Sequence, residues 1–284
     1  MGPRAHPLRI DGHVHFWRYR AEEYAWITAE MSALQRDFLP EELAHGQAPL
    51  AFDGSVAVQA RQSLAETEWL LRLADTDPRI AAVVGWVGLC MPELPEQLAR
   101  FAAHPKFRGV RHVIQDEPED SFMLRGGFLR GLGQLQAHDL TYDLLLFPRH
   151  LPVARELVAR LPAQRFVLDH LAKPRIRESL FEPWATDLRA LAKLPNVSCK
   201  LSGMVTEADW CQWRPEQLHP YLEVALEAFG PERLMIGSDW PVCTLAASYQ
   251  QVIQVVTQFI HRLSPREQAS ILGQTAAQIY GIGQ

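Results

Sequence analysis

The chain has 284 residues, 48% hydrophobic and 21% charged, and its 33 acidic and 28 basic side chains give a formal net charge of -5. That balance is ordinary for a packed globular protein and excludes disorder, collagen and coiled coil as the main organisation. A mildly acidic chain has no electrostatic footprint for nucleic acid, and its longest apolar stretch, 80–91, is interrupted by Gly85 and Gly88 and too short to span a bilayer core of about 30 Å.

The opening MGPRAHPLRI has no apolar signal core, so a cytoplasmic location and no membrane partner are expected. Short β-rich runs then alternate with longer stretches of helical spacing. Strands are expected at 8–16, 55–59, 80–87, 109–114, 140–146, 166–170, 197–201 and 234–238. Helical patterns fall at 63–74, 94–103, 127–138, 153–161, 184–194 and 219–229, with 250–262 and 265–280 after the last strand. This alternation implies parallel pairing through right-handed crossovers. Eight units point to closure into a (β/α)8 TIM-type barrel, which fills about 250 residues as one domain. The expectation is therefore one domain over 1–284, with the barrel at about 8–280. An open doubly wound sheet is the alternative, but no Gly-rich phosphate loop follows Phe16. The four cysteines, Cys90, Cys199, Cys211 and Cys243, form no metal-knuckle spacing and read as reduced thiols.

In such a barrel the chemistry sits at the carboxyl ends of the strands. The first strand ends in Asp11-Gly-His13-Val-His15. Alternation puts His13 and His15 on one face, into the barrel, and turns Ile10 and Gly12 outward. Two imidazoles so placed can share a metal or converge on one substrate oxygen. An HxH alone is a weak signal among 11 histidines; the strand end gives it weight. The sixth strand ends in Asp169-His170, followed by Leu-Ala-Lys173-Pro174. His170 is expected at the mouth, and Asp169, of opposite parity, outward or fixing the loop. The eighth ends in Ser238-Asp239-Trp240-Pro241, where a lone aspartate would otherwise read as a helix cap. His6, His45, His104, His138, His219 and His261 lie away from strand ends, and the acidic run Asp116 to Asp120 reads as a solvated loop.

An HxH on the first strand, a histidine ending the sixth and an aspartate ending the eighth resemble the amidohydrolase superfamily. The longer wording (IDGHVHFW with the following YAWI, then VLDHLAKP, CKLSG and RLMIGSDWPVC) resembles its lactonase branch, nearest to the L-fuconolactonases, over about 8–280. The resemblance implies a hydrolase that opens small-molecule sugar lactones to aldonic acids, L-fuconolactone before L-rhamnonolactone or other aldonolactones. The chain departs from binuclear members of the superfamily. These carry a bridging lysine on the fourth strand and a histidine on the fifth, where this sequence has Gly-Val-Arg111-His112 and Tyr142-Asp-Leu-Leu-Leu-Phe147. The donor set left is His13, His15, His170 and Asp239, which suits one divalent ion, zinc first. The branch includes lactonases that work without metal, so the ion is expected to be dispensable. No organic cofactor is expected, and the residues leave the oligomeric state open.

A lactone is an activated ester, and its hydrolysis needs a base for water, a donor for the carbonyl oxygen and a proton for the ring oxygen. Asp239 fits as the base and proton carrier, with His170, His13 and His15 polarising the carbonyl. Substrate contacts are expected from Trp26, Gln59, Arg61, His112, Gln115, Lys200 and Trp240. Parity admits only one of Arg111 and His112, and the resemblance favours His112. Lys200 has a second reading as the partner of a neighbouring carboxylate, and Trp17 and Trp86 read as packing. Two other functions stand against lactone opening: a metal-dependent decarboxylase of the same superfamily, and a catalytically dead barrel that leaves four strand-end residues unexplained.

Overall fold

The computed structural model describes residues 7–283 and contains the eight strands in a single sheet, in chain order. They are β1 (Ile10–Val14), β2 (Gly54–Val58), β3 (Ile80–Gly85), β4 (Phe107–His112), β5 (Thr141–Leu144), β6 (Phe166–Leu168), β7 (Val197–Leu201) and β8 (Leu234–Ile236). Each pairs in parallel with the next. After β8 the chain returns to β1: Val14 bridges Trp240 in parallel, and the Asp239 N–H donates to the His13 carbonyl. The sheet therefore closes on itself as a (β/α)8 barrel, and the open-sheet alternative is set aside.

Runs such as GSVAV in β2 and IAAVVG in β3 are β-branched and aliphatic on both faces, as strands buried on both sides must be. The helices between them are α1 (Pro40–Gln47), α2 (Leu64–Thr76), α3 (Leu94–Ala102), α4 (Gly126–Leu135), α5 (Leu151–Arg160), α6 (Trp184–Ala192) and α7 (Pro215–Phe229). α8 (Tyr249–Ile260) follows β8. Proline in the first turn starts α1, α3, α5 and α7, where its missing N–H costs no helix bond. Each helix buries one stripe against the sheet: Leu94, Leu98 and Phe101 of α3 are covered, and Phe101 packs on Phe107 of β4. No helix among the described residues is long and apolar enough to cross a membrane. Among them the four cysteines are free thiols, and His6 lies outside them.

The lumen is apolar at its amino-terminal end. Ile10, Val56, Val58, Ala82, Val84, Val167 and Met235 form one buried cluster with Ala276 and Tyr280. Residues from β1, β2, β3, β6 and β8 can meet only across the interior. The chain beyond α8 runs under the barrel as α9 (Pro265–Ala269), a π-helical turn (Ser270–Gln274) and α10 (Thr275–Ile279), and delivers Tyr280 into this floor.

The floor corrects the expected facing of β1. Ile10 looks into the lumen, and a Cβ on Gly12 would press on Met235, so neither points outward. The β1–β2 register shifts between Asp11 and Val14. That irregularity lets Ile10 and His13 share the interior despite their opposite parity. Asp11 instead accepts the backbone N–H groups of His13 and Ser238.

Candidate active site

His13, His15 and Asp239 come from the rim where β1 and β8 close the barrel, and His170 reaches them from just beyond β6. The Asp239 Oδ1 lies 3.3 Å from His15 Nε2 and 3.8 Å from both His13 Nε2 and His170 Nε2. His13 Nε2 and His15 Nε2 are 3.1 Å apart. The other nitrogen of each ring is held from behind. His15 Nδ1 lies 2.8 Å from the Val58 carbonyl, His170 Nδ1 2.8 Å from Ser202 Oγ, and His13 Nδ1 3.4 Å from Asp169 Oδ1. A ring fixed through Nδ1 presents Nε2 in one direction, and here all three point at one carboxylate oxygen. Gly237 makes room for this: a Cβ there would lie 2.9 Å from the His13 Cβ.

His170 arrives by an unusual backbone. β6 ends at Leu168, and His170, Leu171, Ala172 and Lys173 follow with φ of 54°, 53°, 58° and 52°. Four successive left-handed residues without a glycine cost about 1–2 kcal/mol each. Strain of this kind persists only where the surrounding structure over-determines it. Packing supplies that here: His170, Leu171 and Ala172 are buried, and Gly203, itself at φ +66°, leaves the ring space that a Cβ would invade at 2.6 Å. The turn folds His170 back over the lumen. Asp169, expected outward or fixing the loop, instead points into the barrel against His13 and Lys200.

Beneath His13 lies a closed set of charges. Lys200 Nζ contacts Asp143 Oδ2 at 2.6 Å, Asp169 Oδ1 at 2.9 Å and His13 Nδ1 at 3.1 Å. The Tyr280 hydroxyl donates to Asp143 Oδ2 at 2.7 Å. Arg111 Nη1 donates to Asp169 Oδ2 at 3.0 Å and lies 3.4 Å from His13 Nε2, while its Nη2 donates to the carbonyl and side-chain oxygens of Gln59. Burial alone would raise the Asp169 carboxyl, but Lys200, His13 and Arg111 hold it well below the usual carboxylate range. The same contest leaves Asp239 below its ordinary value: burial raises it, and His170, His15 and His13 outweigh that effect. Burial, reinforced by Lys200, keeps His13 well below the ordinary imidazole value, and burial takes His170 down to about 4. At neutral pH Asp239 is thus an anionic carboxylate facing the neutral rings of His13 and His170.

That donor set fits a metal. His13, His170 and Asp239 offer ligand atoms that all lie within 4.8 Å of one another, with His15 Nε2 alongside. Neutral imidazoles backed by hydrogen-bonded partners, with one carboxylate, are a mononuclear zinc-type set.

Above these groups opens a cavity of about 340 Å³. His15, His170, Asp239 and Arg111 form its inner wall, and Trp26, Arg61 and Gln115 line its sides. All three of these side-wall residues carry a buried polar atom with no protein partner: Trp26 Nε1, Arg61 Nε and Gln115 Oε1. Four expected substrate contacts are elsewhere. His112 faces outward, 2.7 Å from Glu117 and stacked on Phe122, because Arg111 takes the inward position of β4. Lys200 is fully covered in the ion set below, its second reading. Gln59 is buried and braces Arg111. Trp240 closes the barrel through its backbone and packs its ring on Phe16 and Phe38. Arg111, Asp169 and Lys173 are among the groups at or beside the site that are absent from the expected set.

The amidohydrolase family profile matches residues 10–282. The chain is 47% identical to an L-fucono-1,5-lactonase of Burkholderia multivorans over 97% of this chain and 96% of that protein. It is 37% identical to an L-fucono-1,5-lactonase of Burkholderia ambifaria, over 97% and 96% respectively. A crystal structure of an amidohydrolase from Burkholderia multivorans with bound zinc superposes with a TM-score of 0.93 at 47% identity, covering 97% of this chain and 99% of that one.

Proposed function

This chain belongs to the amidohydrolase family, and on that premise we propose that it is a cytoplasmic hydrolase opening sugar lactones to aldonic acids, L-fucono-1,5-lactone foremost. The observation that carries the reading is the convergence of three imidazole Nε2 atoms within 3.8 Å of Asp239 Oδ1 at the inner wall of a cavity of monosaccharide size. The two relatives of like length that are L-fucono-1,5-lactonases support it. So do the unpaired Trp26 Nε1 and Gln115 Oε1, a donor and an acceptor suited to the hydroxyls of a polyol. The decarboxylase reading has less support, because both of these relatives are lactone hydrolases.

Each residue then has a task. Asp239, anionic at neutral pH, takes a proton from the water that attacks the lactone carbonyl carbon. Arg111 and His170 face the cavity and stabilise the carbonyl oxygen as it becomes negative. Asp239 returns the proton to the ring oxygen as the C–O bond breaks. Trp26 offers its face to the C–H side of the sugar, and Arg61 and Gln115 offer polar groups to its hydroxyls. A divalent ion, zinc first, would be held by His13, His15, His170 and Asp239, and would supply Lewis-acid stabilisation of the developing oxyanion. The ion is proposed to be dispensable, because the ring ester is already activated and Arg111 provides a fixed cation.

The test is an indicator assay over L- and D-sugar lactones, before and after chelation. Rapid opening of L-fucono-1,5-lactone that survives chelation is expected, with Asp239→Asn slower by about 10²–10⁴-fold. A protein that opens no lactone, or an Asp239→Asn variant with near-normal turnover, refutes the reading or the base assignment respectively.

A further inference from the structure

A second cavity, of about 780 Å³, adjoins the catalytic one, and Lys173 lines both. We propose that Lys173 receives the newly formed carboxylate of the product and that this second cavity is the route by which the anion leaves. The inference rests on the lactone-opening reading.

Lys173 is three residues beyond His170, at the end of the left-handed turn. Its side chain is only 21% exposed. Even so, among the described residues its ammonium donates no hydrogen bond. The carboxylate within reach, Glu207, stands at 4.0 Å, too long for a hydrogen bond, and the Phe147 ring lies 5.6 Å away. Burial raises the Glu207 carboxyl against the pull of Lys173, which weakens it as a competitor for the cation. An ammonium with three donors and little water is costly to leave unanswered, and an anionic ligand would answer it.

Around the second cavity cations outnumber carboxylates. Arg149, Arg175 and Arg177 stand there with Lys173, against Glu178, Asp187 and Glu207. Arg175 is committed to Glu178 at 3.3 Å and Arg149 to Asp120 at 2.8 Å. The Arg177 guanidinium meets no carboxylate among the described residues. Two cations, Lys173 at the inner end and Arg177 further out, are thus available to an anion, in a chain whose net charge is -5. The chemistry supplies the direction. Addition of water across the ring C–O bond converts a neutral lactone into a hydroxy-carboxylate and a proton, so a cation at this partition gains a partner only after reaction. Phe147 and Trp210 on the same walls suit the C–H faces of the departing polyol.

The experiment measures initial rates on L-fucono-1,5-lactone with added L-fuconate as inhibitor, for the native protein, Lys173→Gln, Lys173→Arg and Arg177→Gln. Loss of a hydrogen bond to a charged group should raise the inhibition constant of Lys173→Gln by about tenfold or more, against a change in KM of less than about threefold. Lys173→Arg should restore most of the inhibition, and Arg177→Gln should raise the constant by about two- to fivefold. Equal shifts in KM and inhibition constant, or no shift in the latter, overturn the proposal. Calorimetric titration of L-fuconate into the same four proteins keeps the two readings apart. If the native protein opens no lactone, the functional reading fails, while weakened fuconate binding in Lys173→Gln and Arg177→Gln still supports an anion site, and unchanged binding removes it.

Discussion

The barrel carries two charged layers on opposite sides of the His13 ring. In the lower one, Lys200, Asp143 and Asp169 are fully covered, and each meets an opposite charge at 2.6–2.9 Å. In the upper one, Lys173, Arg61, Trp26 and Gln115 line open space, and several of their polar atoms have no protein partner. The lower layer answers its own charges and so sets the geometry of the histidines, Asp169 against His13 above all. The upper layer leaves Trp26 Nε1, Arg61 Nε and Gln115 Oε1 without protein partners, as the proposed binding surface requires. Burial alone does not separate the two layers; what does is that the buried carboxylates of the lower one share Lys200, whereas the upper one borders a cavity.

Substitutions in three parts of the molecule test that division. The largest effect should come from Lys200→Met, which leaves Asp143 and Asp169 buried without their shared cation. A loss of about 3–5 kcal/mol is expected from denaturant unfolding, and adding Asp143→Asn should recover part of it. A Lys200→Met protein of native stability would mean that the lower layer is not held by its charges.

Glu66 of α2 sharpens the comparison, because it is a buried charge that serves the mouth. It is 1% exposed, and its carboxylate accepts the N–H groups of Ala60 and Arg61 and the hydroxyl of Tyr24, tying together two loops of the cavity wall. Burial pushes it up to about 7 from an ordinary 4.5, against those donors. Between these values the folded protein keeps a proton that the unfolded chain has released, so stability falls as pH rises across the window, by on the order of 3 kcal/mol in all. Melting curves from pH 5 to 8 should show the native protein losing ground to Glu66→Gln. Parallel curves would remove the assignment.

The smallest effect belongs to the rim. Trp26→Ala should raise KM by about three- to tenfold with little change in kcat, as expected when one aromatic face is withdrawn from a sugar. A collapse of kcat instead would draw Trp26 into the reacting layer.

How far the sequence revealed this follows from where its periodicities hold. The eight strands and the positions of His13, His15 and Asp239 were legible because strand ends in a barrel share one rim. The facing of side chains was less so. Alternation failed at β1, where the ladder slips beside Asp11, and at His170, where the chain has left the strand for a left-handed turn that its non-glycine residues do not signal. Asp169 and Arg111 were misplaced because each belongs to an adjacent pair of which the inward member had to be chosen; just beyond the sixth strand both members proved to face inward. Lys200 needed its partners in space, and no local pattern joins Asp143 to Tyr280. Trp240 was read by its ring, whereas its backbone closes the barrel.

The Tyr280 hydroxyl on Asp143 has a consequence for how the protein is made. During synthesis β1 emerges well before the end of the barrel, and the lower charged layer stays short of a donor until residue 280 has left the ribosome. The lower layer is therefore completed long after His13 and His15 have been translated, and a deletion that removes Tyr280 should harm turnover from the far side of the barrel, on the order of a lost hydrogen bond to a charged group or more.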